Sequence, residues 1–197
     1  MARCCREAGN YASATASLEL AVASLARELG SSHPSLAGPR RELAKSRIQA
    51  GDAPGAVADL SRLMDEQKNS LPDNHPSLLE TRHDLAIFQG LGGDPATAAA
   101  ALARLVPVTM SSLGPENPFT LLVRVHAALW RGEAGDPSGA AADLEPLVAV
   151  ASRVLGPENE QTVSARTSLG HMRERAAQLL ATDTGEPGHH HHQSDLQ

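Results

Sequence analysis

Aromatic side chains are almost missing from this chain: one Trp, one Tyr and two Phe among 197 residues, or 2%. A core cannot then rest on a few large anchors, and the 41% hydrophobic content falls mostly to Ala, Leu and Val. Those residues suit helices packed closely through small side chains better than β-sheets, which favour branched and aromatic residues. Cysteine is equally scarce. Cys4 and Cys5 are adjacent and near the start, so they staple no distant elements and bridge each other poorly. A reducing, cytoplasmic setting is the expectation. Residues 1–7 lack the apolar run of a signal peptide, and no stretch reads as the roughly 18 apolar residues of a membrane span. No membrane partner is expected.

An excess of positive charge is also missing. The net charge is −6, with +3 over residues 1–50 and −9 over the rest. Nucleic-acid binding relies on basic patches that displace counterions, so no nucleic-acid partner is expected. The one local basic cluster, Arg40, Arg41, Lys45 and Arg47, reads as a solvated helix face. No catalytic arrangement stands out either. Gly90, Gly92 and Gly93 fall in a helix turn rather than a phosphate-binding loop. His33, His75, His83, His126 and His171 are spread along the chain, whereas a metal needs converging ligands. His83 and His126 alone are spaced to face one groove from neighbouring units. No enzyme activity, cofactor or metal is expected.

What the chain does have is a repeat. Gly9, Gly51, Gly93 and Gly135 stand 42 residues apart, each followed by Asn or Asp. Ala14, Ala56, Ala98 and Ala140 keep the same step, as do Leu18, Leu60, Leu102 and Leu144. So do Leu29, Leu71, Leu113 and Leu155, then Pro34, Pro76 and Pro118, then Arg40, Arg82, Arg124 and Arg166. Each column has a physical reading. Gly ends one helix in the left-handed conformation, and Asp or Asn caps the next. Ala lets two helices approach closely, and Leu fills the seam. The Arg column reads as structural, each stem lying on a neighbouring helix and each guanidinium bonding to loop carbonyls. Phe88 and Trp130, which share a column with Met172, read as packing between helices. The pattern predicts helices at 11–29, 36–50, 53–70, 76–91, 95–113, 118–133, 137–155 and 160–181. Pro107 and Pro146 fall inside two of them and are expected to kink or shorten them.

The elements Leu85-Ala86, Gly93-Asp94, Ala98, Leu102 and Leu-Gly-Pro-Glu-Asn-Pro at 113–118 resemble a tetratricopeptide repeat (TPR). The 42-residue length resembles the longer repeats of kinesin light chains and of high-GC, actinobacterial regulators. That resemblance implies an all-α fold, a right-handed α-solenoid of antiparallel helix pairs. On it, residues 1–8 are the stump of a truncated first helix and 9–182 the repeat array. Residues 183–197 form a disordered polar tail with the His189–His192 run, which is left out of the fold. The last helix continues past the point where a turn Gly is due, at Ala177, and reads as a solvating cap, while the front end has none.

The resemblance also implies a non-catalytic scaffold that binds a partner protein or peptide in a concave groove. Carried over by repeat register, the groove takes Arg41, Lys45 and Gln49 from one helix, and Glu80, His83, Asp84 and Ile87 from the next. Leu122, Val125, His126, Leu129 and Glu133 follow, then Thr167 and His171. That order runs from basic through mixed and apolar to polar, which suits a partner with an acidic end and an apolar middle. Relatives often carry Asn just before the Leu-Ala pair; Glu42, Asp84, His126 and Ser168 stand there instead, so the clamp some relatives use on a terminal carboxylate is not formed. Two other roles stay open. One is a regulatory or sensor segment at the C-terminal end of a larger bacterial signalling NTPase or transcriptional regulator. The other is self-association, a homodimer formed through the uncapped N-terminal end.

Overall fold

The computed structural model describes the backbone of residues 2–183 and the side chains of residues 11–182, which leaves His189–His192 outside the described residues. Within it lie eight α-helices and no strand: α1 (Ala2–Leu29), α2 (Ala37–Gln49), α3 (Ala53–Ser70), α4 (Pro76–Leu91), α5 (Pro95–Leu113), α6 (Pro118–Glu133), α7 (Pro137–Val154) and α8 (Glu160–Asp183). A short 3-10 turn, Pro34–Leu36, leads into α2.

The repeat columns make these boundaries. Asp52, Asp94 and Asp136 each accept a hydrogen bond from the backbone N–H three residues on, at Gly55, Thr97 and Gly139, capping α3, α5 and α7. His75 and Asn117 do the same for α4 and α6, each accepting from the N–H two residues ahead. Before each Asp cap the chain turns through a left-handed Gly. At Gly93 φ is +99°. There the Asp94 N–H bonds back to the Gln89 carbonyl and the Gly93 N–H to Gly90, the bonding of a Schellman end.

Each α-helix packs antiparallel on the next. Ala56, Ala98 and Ala140 are fully buried, as are Leu60, Leu102 and Leu144. Burying each such Leu stabilises the array by about 1.5–3 kcal/mol, so three equivalent seams carry much of the fold. Phe88 and Met172 are buried in their own clusters, and Trp130 packs against a third, over the face of Gly90, where a Cβ would meet its ring.

The structure departs from the sequence reading at three places. First, α1 begins at Ala2 and runs straight through Gly9 and Asn10, with no turn and no separate stump. Among the described residues no helix packs on that side, so nothing forces the chain to reverse, and Gly9 costs only about 1 kcal/mol relative to Ala inside a helix. The columns that vanish into the seams elsewhere are open here: Ala14 and Ala21 are exposed and Leu18 only half-buried. Second, Pro107 and Pro146 end nothing; α5 continues to Leu113 and α7 to Val154. Both prolines lie on exposed sides, where water can reach the carbonyls they leave free. Third, α5 is long and apolar enough by length and composition to cross a membrane, although only 22% of that window is buried. Here it packs between α4 and α6 as part of the array.

Candidate partner-binding face

The even-numbered helices form one continuous layer. Helix α2 touches α4, α4 touches α6 and α6 touches α8, whereas among the described residues successive odd-numbered helices do not meet. This inner layer holds all fourteen groove residues expected from the sequence.

Five of them join into one polar network across three helices. The Arg41 guanidinium on α2 donates from Nε to Asp84 Oδ2 on α4 at 2.7 Å and also pairs with Glu80. His83 Nδ1 donates to Asp84 Oδ1 at 3.2 Å. With that proton on Nδ1, His83 Nε2 accepts from the Nδ1–H of His126 on α6, at 2.8 Å. The two imidazoles are stacked with centroids 5.0 Å apart, and the Phe119 ring meets His83 edge-on at 5.6 Å. His83 and Asp84 are buried.

The electrostatics follow from that geometry. Burial, followed by the nearby His83, pushes His126 down to about 4, with Asp84 opposing only weakly. Burial raises the Asp84 carboxyl, but the hydrogen bond from His83 and the charge and hydrogen bond of Arg41 outweigh it and leave the carboxyl below its ordinary range. For Arg41, burial is likewise outweighed by Asp84 and Glu80, which raise its pKa.

No family model matches this sequence, and no curated protein does. Solved structures do. A kinesin-light-chain protein of Podosopora anserina, built of nearly identical TPR-like repeats, superposes with a TM-score of 0.71 at 26% identity, over 92% of this chain and 87% of that one. A singly substituted form of that protein superposes at 0.72 and 26% identity, over 92% of this chain and 86% of its own. The chain is a TPR-like repeat protein.

In this TPR-like array the remaining groove residues divide by exposure. Val125 is buried in the core cluster of α6, α7 and α8, so it packs the fold rather than lining the surface. Lys45, Ile87, Leu122, Leu129 and Glu133 are half-buried, and Gln49, Thr167 and His171 are exposed. Lys45 pairs with Glu42 at 2.7 Å, and Arg41 is held by Glu80 and Asp84, so the basic end of the groove is largely neutralised within the chain. Among the described residues no group of three or more His, Cys, Asp or Glu is placed to hold a metal ion. The 42-residue columns bring the network's members together, and His83 and His126 are legible in the sequence as facing one groove, but the Arg41–Asp84 link is not. Both linking bonds, Arg41 to Asp84 and His83 to His126, span 43 residues. Neighbouring even helices meet one residue out of register, and polar pairs at that offset were the available signal.

Proposed function

We propose that this TPR-like array is a non-catalytic scaffold that holds a segment of a partner protein along its inner layer, in the cytoplasm. One observation carries the reading. Lys45, Ile87, Leu129 and His171 occupy the same repeat position on α2, α4, α6 and α8, so they form a stripe across the layer with polar ends and an apolar middle. Apolar side chains left half-exposed beside satisfied polar ones are the composition of a binding face. The acidic end expected of the partner has less support, since Arg41 already has two carboxylates. Reversing its charge would break an internal network as much as a contact.

The test is affinity capture from the source cell's lysate, read by mass spectrometry. One bait is the intact chain, the other carries Leu129→Gln and Lys45→Glu. Partners of the inner face are expected to fall about tenfold or more on the second bait, a loss of about 1.4 kcal/mol. Equal recovery on both baits, with unchanged circular dichroism, would remove the reading.

A second reading, a homodimer through the front end, is favoured by the open seam columns of α1, where Leu20 is also 73% exposed. It predicts a monomer–dimer equilibrium in sedimentation velocity that Ala14→Glu shifts fully to monomer. A single concentration-independent monomer for the unchanged protein would exclude it.

A further inference from the structure

The outer side of the array carries a feature that the inner-face reading does not use. Between each pair of successive odd helices runs a groove floored by an even helix, and each groove receives one member of the repeated Arg column. Three of the four members are satisfied through the carbonyl nine residues earlier. Arg40 bonds to the Ser31 carbonyl and to Glu66 at 2.6 Å. Arg82 bonds to the carbonyl and carboxylate of Asp73, at 3.3 and 2.5 Å. Arg166 bonds to the Pro157 carbonyl at 3.3 Å. Arg124 alone has no such bond and no carboxylate partner among the described residues, although it is half-buried. The position that gives Arg40 its Glu66 is Val150 in this unit.

The groove around Arg124 differs from its neighbours. It is about 640 Å³, against about 390 Å³ between α3 and α5 and about 210 Å³ between α1 and α3. Small apolar residues wall it: Ala99 and Ala103 from α5, Ala142 and Pro146 from α7, with Ala127 in the floor. The α1–α3 groove is lined instead by Glu19, Arg47, Asp59 and Arg62. The same contrast appears along the helices. The positions that carry Asp59, Asp65 and Glu66 on α3 are Asp143, Ala149 and Val150 on α7, of which only Asp143 is charged, and the one charged residue of α5 is Arg104. Arg104 is exposed to solvent. At the far rim Arg131 is taken up by Asp136 and Asp143. Among the described residues, the half-buried guanidinium at the floor of this apolar groove is therefore the one uncommitted charge inside it.

We infer that the outer groove between α5 and α7 is a second binding site, for an apolar protein segment that carries one carboxylate to pair with Arg124. Small walls admit a close-lying backbone, and the guanidinium fixes register by a charge-assisted bond. The site is separate from the inner stripe and stands or falls independently of it.

The probe is an end-blocked Ala/Leu helix peptide, made soluble by Ser and Gln flanks, with one central Glu, beside its Gln twin. Titration calorimetry on the whole chain is expected to show the Glu peptide binding about tenfold or more tighter than the Gln twin. Arg124→Gln should erase that difference, and Ala103→Gln, which adds polar bulk to the wall, should weaken both peptides. Equal affinity for the two peptides, or binding of neither, would overturn the proposal. So would binding of decanoate with no binding of peptide, which would make the site one for a free aliphatic acid. Thermal unfolding supplies an independent check. Arg124→Gln should leave the melting temperature near that of the unchanged protein while Arg82→Gln lowers it; equal losses would make Arg124 a structural member of its column and overturn the site.

Discussion

Acidification from pH 7.5 to pH 4.5 is expected to remove about 2–3 kcal/mol of unfolding free energy through His126 alone. Burial, with His83 second, holds this imidazole near 4 instead of its ordinary 6.5. The folded array therefore keeps the ring neutral over a range in which the unfolded chain takes up a proton. Stability is complete above about 6.5, declines as pH falls from 6.5 towards 4, and levels off below, where both states are protonated. Asp84 continues the loss in the same direction at lower pH. Its depressed carboxyl contributes stability that is present above its ordinary 3.8 and disappears as pH falls through its folded-state value. Urea midpoints measured across this range should slope steeply for the unchanged protein and much less for His126→Gln. An equally steep slope in the variant would assign the effect elsewhere.

Asp84→Ala is expected to cost about 3–5 kcal/mol, the price of breaking a buried ion pair from one side. The carboxylate is the shared acceptor of Arg41 and His83, whose side chains are only 17% and 8% exposed, so its removal leaves Arg41 with Glu80 alone and the His83 Nδ1–H without an acceptor. Asp84→Asn keeps an oxygen for one of these donors and should lose less. Urea unfolding monitored by circular dichroism decides the matter. A loss below about 1 kcal/mol, the range of exposed surface pairs, would mean that the network contributes little to stability.

Most of the fold was legible in the sequence because each helix boundary has a local chemical cause. Asp94 and Pro95 start α5, and the left-handed Gly93 ends what precedes it; these residues act the same way wherever they stand. Ala98 and Leu102 were readable as seam residues because the seam is built three times over. What escaped depends on what lies next to a residue rather than on what it is. Gly9 is followed by a capping residue just as Gly51 and Gly93 are, but among the described residues no helix lies where the chain would fold back, and α1 passes through it. Pro107 did not break α5 because Leu102, Leu105 and Thr109 anchor both sides of it in the core. At the candidate site, residue types were readable but pairing was not. Arg41 looked available to a partner, and only the one-residue offset between α2 and α4 reveals Glu80 and Asp84 beside it.

That offset also changes how the stack transmits energy. In a repeat array each unit normally senses only its immediate neighbours, so stability is close to a sum of local terms. The chain of bonds from Arg41 through Asp84 and His83 to His126 crosses two consecutive helix interfaces without a gap. It adds a next-nearest-neighbour term to an otherwise one-dimensional system. Drawing Arg41 away from Asp84 is therefore expected to be felt at His126, two units further on, through side-chain bonds alone.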